Sequence, residues 1–80
     1  MQELDARLRK IFGELFHLDP ATIPDDARRG ELDGWDSLGH LDLVSALERE
    51  FGVSIDTDQA LEIETVGDAS RVLRSLLGDA

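Results

Sequence analysis

The chain has 80 residues, 18 of them acidic and 8 basic, with a net charge of −10, no cysteine and one tryptophan. That length holds one small domain, since two cores would need about 200 residues or more. The charge repels phosphate backbones and anionic lipid heads, which excludes nucleic acid and membranes as partners and favours basic proteins.

Hydrophobic residues make up 41% of the chain, enough for one modest core that no disulfide reinforces. The lack of cysteine removes thiol catalysis and cysteine zinc sites. No apolar run approaches the ~20 residues of a membrane span. The acidic start Met1-Gln2-Glu3-Leu4-Asp5 is not a signal peptide, so a cytoplasmic location is expected.

Leu4, Leu8, Ile11, Phe12 and Leu15 share one face of a helix predicted from about Gln2 to Phe16. Asp19-Pro20 bars its continuation, because a residue before proline avoids the α region. From there to Asp36 no periodicity appears, and the segment reads as a long loop anchored by Ile23 and Leu32. A second helix is predicted over about 37–51, capped by Asp36 and stopped by Gly52. Val53-Ser54-Ile55 reads as an extended link. Asp56 or Thr57 then caps a short helix over about 57–61. Thr65, with Asp68 three residues on, caps a last helix over about 66–77, whose apolar face is Val66, Ala69, Val72, Leu73 and Leu76. The fold class is all-α, a four-helix bundle of three main helices and a short third one, in a single domain over 1–80.

Projected at 100° per residue, the second helix turns Leu43, Val44, Leu47 and Phe51 to the core. Asp42, Ser45 and Arg49 cluster opposite. Leu38 falls inside that polar strip and Leu41 at its edge, beside Ser37 and the acids Asp36 and Asp42. Single exposed leucines are ordinary; two beside a serine and acids form an apolar anchor ringed by charge, as protein interfaces do.

A serine at a helix start is ordinarily structural. As a hydrolase nucleophile Ser37 lacks G-x-S-x-G, since its string is Gly34-Trp35-Asp36-Ser37-Leu38-Gly39. His40, three positions on, falls on the same side of the helix and is expected exposed or half-buried, with no room for a pocket around the pair. The loop acids Asp25, Asp26, Glu31, Asp33 and Asp36 do not meet the EF-hand spacing, so no metal is expected.

The string Asp36-Ser37-Leu38, its helix ending Leu47-Glu48-Arg49-Glu50-Phe51-Gly52, and Ile63-Glu64-Thr65-Val66-Gly67-Asp68 together resemble the acyl carrier proteins over nearly the whole chain. The resemblance implies a four-helix bundle whose serine, here Ser37, carries 4′-phosphopantetheine delivered from coenzyme A by a phosphopantetheinyl transferase. The thiol of that arm holds acyl groups as thioesters between enzymes. Asp36 matches the acid that helps the transferase bind and orient its metal and coenzyme A. Leu38 matches the exposed apolar contact for partners, and Leu41, Asp42 and Glu48 match positions of the recognition helix. The implied partners are the transferase, an acyl- or aminoacyl-loading ligase or transferase, and ketosynthase or condensation-type enzymes. The carrier would act as a monomer without catalytic activity of its own.

Departures matter as well. Gly39 stands where fatty-acid carriers commonly have an acid, Ser45 where a methionine-like residue is common, Arg49 where an acid is common, and Trp35 where a small residue is usual. They point towards a specialised polyketide- or nonribosomal-peptide-type pathway, although Gly-Gly-His-Ser or Gly-Gly-Asp-Ser of peptidyl carriers is absent. Trp35 reads mainly as a packing residue pinning the loop. Two other readings stay open: an acidic interaction or scaffold protein without the arm, and a peptidyl or aminoacyl carrier.

Overall fold

The computed structural model describes residues 2–32 and 34–78, so Asp33 of the loop acids lies outside the described residues. Its elements in chain order are α1 (Gln2–Phe16), a 3₁₀ turn (Pro20–Thr22), α2 (Ser37–Phe51), α3 (Thr57–Glu62) and α4 (Val66–Leu76). The fold is the expected all-α bundle with three long helices and a short third. α1 packs on α2 and α4, and α3 packs on α4.

Amphipathic spacing builds the core, with one correction. Leu4, Leu8, Ile11 and Phe12 are buried as their spacing requires, but the next core position is Phe16, while Leu15 is half-buried. Phe16 follows Phe12 at i+4, and the two rings pack 5.9 Å apart. α2 contributes Leu43 and Leu47, both fully buried, while Val44 and Phe51 sit at the core's edge. The Arg7 guanidinium covers the Phe51 ring at 4.5 Å and bonds Glu50, tying α1 to the end of α2.

Caps fix where the helices begin. Asp56 and Thr65 each form a reciprocal capping box, with Gln59 and Asp68 respectively. Gly52 ends α2 in the left-handed region at φ 64°, where glycine carries no steric penalty.

The loop between α1 and α2 is held by more than Ile23 and Leu32. Ala27 and Trp35 are buried as well. Its middle pairs with the approach to α4 as an isolated antiparallel bridge between Arg28 and Thr65. Arg29 N–H donates to Glu64 O at 2.7 Å, Val66 N–H to Ala27 O at 3.2 Å, and Gly67 N–H to Asp25 O at 2.9 Å. Arg9 of α1 reaches Ile23 O and Asp25 as well. The segment is irregular in dihedrals but clamped on both sides.

The Asp68 carboxyl lies where this clamp meets α4. Burial pushes its pKa up, yet the net shift is downward. Hydrogen bonds from the Glu64 and Thr65 backbone and the Thr65 side chain, and the charge of Arg71, stabilise the carboxylate more. A depressed carboxyl contributes stability that is complete above its unfolded value and lost as pH falls through the folded one. Asp68→Asn should therefore cost on the order of 1 kcal/mol at pH 7, or about 4–8 °C in Tm for a domain of this size. The difference from the parent should close as pH drops below about 4, which thermal melts followed by circular dichroism across pH will check.

Candidate functional site

Ser37 opens α2 at the end of the loop, and Asp36 does its capping. Asp36 has extended backbone (φ −107°, ψ −163°), and its Oδ1 accepts the Gly39 N–H at 2.9 Å. The first helical bond follows, from His40 N–H to Asp36 O at 2.8 Å. With the cap supplied by its neighbour, the Ser37 hydroxyl is exposed and free of that duty.

Gly39 explains how the loop reaches this point. A Cβ there would run into the carbonyl oxygen of Gly34, which lies at φ +89° against the first turn of α2. The glycine that departs from the fatty-acid carrier pattern is thus what admits the loop backbone.

Trp35 completes the attachment and confirms the packing reading. It has no exposed surface and packs against Phe12 (5.0 Å, edge-on) and Phe16 (6.0 Å, stacked). Its Nε1–H donates to His40 Nδ1 at 3.0 Å. This corrects the expectation that His40 is exposed or half-buried, because the residue is only 8% exposed. With Nδ1 accepting, the proton sits on Nε2, which donates to Ala60 O of α3 at 2.8 Å. Both ring nitrogens are spent on structure, and His40 offers no base to Ser37.

The surface around Ser37 is apolar and acidic. Leu38 is 76% exposed and Leu41 64%, with Asp36 and Asp42 exposed beside them. Glu48 stands apart: it is half-buried, and its Oε2 accepts the Ile55 N–H at 2.8 Å, holding the link after α2. Two residues beside Ser37 escaped the sequence reading. Leu61 of α3 is 61% exposed although Ile63 fills the core nearby. Arg29 comes from the loop, and together with Ser37, His40 and Leu61 it lines a depression of about 320 Å³. An apolar residue not needed by its short helix marks Leu61 in the sequence; Arg29 carries no such mark, because the bridge to Thr65 positions it.

The chemistry of these residues suits a covalently attached phosphate ester. It offers an exposed primary hydroxyl at a helix start, a guanidinium across a shallow depression, and leucines flanking both. Residues 6–73 match the family described as phosphopantetheine attachment site. The chain belongs to the acyl carrier protein family. It is similar to the acyl carrier protein of Phenylobacterium zucineum, 38% identical over 98% of this chain and 99% of that one. To that of Treponema pallidum it is 41% identical, over 94% of this chain and 96% of the relative. In structure it is similar to the holo acyl carrier protein of Geobacter metallireducens, with TM-score 0.82 at 27% identity, covering 98% of this chain and 88% of that one. As an acyl carrier protein it functions with covalently bound 4′-phosphopantetheine. Among the described residues, no helix of this carrier is long and apolar enough to cross a membrane.

Two substitutions probe how the carrier holds its serine. Gly39→Ala gains up to about 1 kcal/mol of helix propensity but must displace the Gly34 carbonyl, an overpacking cost of about 1–3 kcal/mol. The variant should melt below the parent; a higher Tm would show that the loop has another route. Trp35→Phe leaves His40 Nδ1 buried without a donor, at a cost of about 1–3 kcal/mol, to be read as a lower urea midpoint with unchanged slope.

Proposed function

We propose that Ser37 is the residue to which the phosphopantetheine arm is attached, and that Asp36, Leu38, Leu41 and Asp42 are the face partners read. The observation that carries this is the division of labour at the start of α2. Asp36 satisfies the helix, leaving the Ser37 hydroxyl exposed beside an exposed Leu38. When bound, the arm supplies a terminal thiol on which acyl groups travel as thioesters.

The chain's own residues present the hydroxyl, orient it and attract the enzymes. The loop clamp and the Trp35–His40 bond fix Ser37 in place. Asp36 and Asp42, on a chain of net charge −10, speed encounters with basic surfaces, since rim charges act chiefly on association rate. Leu38 and Leu41 add a small apolar anchor that gives orientation and still permits release. The partners are a phosphopantetheinyl transferase, an acyl- or aminoacyl-loading enzyme, and ketosynthase or condensation-type enzymes, met in the cytoplasm by a monomeric carrier. The carrier performs no catalysis itself, in keeping with a histidine engaged on both nitrogens. Gly39, which leaves the recognition helix one acid short, and Trp35 support a specialised pathway over fatty-acid synthesis.

Intact mass after incubation with coenzyme A, magnesium and a broad-specificity phosphopantetheinyl transferase tests the assignment. The parent should gain one phosphopantetheine. Ser37→Ala should gain none while its stability stays within about 0.5 kcal/mol of the parent, as for a surface change. Uptake by the alanine variant would remove Ser37 from this role.

A further inference from the structure

The depression beside Ser37 contains a cation in a neighbourhood that is otherwise acidic. Arg29 is carried there by the clamp, since its own N–H donates to Glu64 O at 2.7 Å and the adjacent Arg28 bridges Thr65. Its half-buried side chain then lies over the α2–α3 junction. Nη1 donates to Ile63 O at 3.3 Å and sits 3.2 Å from His40 Nε2, the nitrogen that itself donates to Ala60 O. Five other arginines, namely Arg7, Arg9, Arg28, Arg71 and Arg74, pair with carboxylates. Among the described residues Arg29 and Arg49 have no such partner, and of the two it is Arg29 that lines the depression with Ser37. A guanidinium has five N–H donors in a fixed fork, and the Ile63 carbonyl occupies one of them.

The group that Ser37 would bear is a phosphodiester, an anion directly on the helix's first residue. Asp36 lies next to it in sequence and Asp42 on the same helix, so this anion meets repulsion from its own chain. Arg29 lines the depression that Ser37 opens onto and offers the opposite charge with the geometry that phosphate oxygens accept. Leu61 lines the same depression and is exposed, an apolar surface for the aliphatic stretch that follows the phosphate.

We propose that Arg29 is a positioning residue for the arm: its guanidinium holds the phosphodiester on Ser37 and directs the arm along the Leu61 side of α3. This rests on Ser37 being the attachment residue.

The test uses the carrier with its arm attached, confirmed first by intact mass. If the parent acquires no arm, the Ser37 reading fails and the proposal with it. In the loaded parent, the Arg29 Nε–H resonance of ¹⁵N-arginine-labelled protein should shift from its position in the unloaded protein. In Arg29→Gln the ³¹P resonance should move and sharpen as the phosphate is released. Arg29→Lys should retain part of the parent's line width, and Arg28→Gln, altering the neighbouring exposed arginine, should leave the ³¹P signal unchanged. An Arg29 resonance unmoved by loading, or a ³¹P line in Arg29→Gln equal to the parent's, overturns the proposal. Should a variant fail to fold or to load, the parent comparison decides alone, since it needs no substitution.

Discussion

A single hydrogen bond inside the core organises the site: Trp35 Nε1–H to His40 Nδ1. The indole belongs to the loop, the imidazole to α2, and the imidazole's other nitrogen holds α3 through Ala60 O. Three segments that share no long helical interface meet on one ring. The bond is buried, so water does not compete with it, and leaving either partner unpaired would cost about 1–3 kcal/mol of a small domain's total of about 5–15. Ser37 lies between the two partners in sequence. Its position relative to α3 is therefore set by this bond as much as by the helix it begins.

The division between inside and outside follows from the same arrangement. Trp35, His40 and Leu43 point inward and make the site rigid, while the Asp36 carboxylate caps the helix from an exposed position. What is left outside is a hydroxyl, exposed leucines and acids. A carrier needs this combination, because its work is done in other proteins' pockets and it must be recognised quickly and released. Function here lies in the decoration of a shared scaffold rather than in the bundle itself.

Much of this was legible from local pattern. Leu4, Leu8, Ile11 and Phe12 announce α1 by spacing, Thr65 and Asp68 announce the start of α4 by capping chemistry, and the projection of α2 turns Leu38 and Leu41 outward, as they lie. What stayed hidden depends on neighbours distant in sequence. His40 looks like a surface residue until Trp35 and Ala60 satisfy its two nitrogens. Phe16 replaces Leu15 in the core because Phe12 and Trp35 offer it aromatic faces. Glu48 resembles a recognition acid, yet its carboxylate is taken by the Ile55 backbone. Arg29 shares a depression with Ser37 only because an antiparallel bridge, invisible to helical periodicity, joins the loop to the approach of α4.

The chain's one tryptophan is the residue that pins the loop in front of Ser37. Sealed from solvent, stacked on phenylalanine and hydrogen-bonded to an imidazole, it is a built-in optical probe at the serine's doorstep. Its emission belongs at the blue end of the indole range, and with no tyrosine in the chain nothing else obscures it. Unfolding can thus be followed by intrinsic fluorescence on the unlabelled protein, and so, on the proposed assignment of Ser37, can loading and docking.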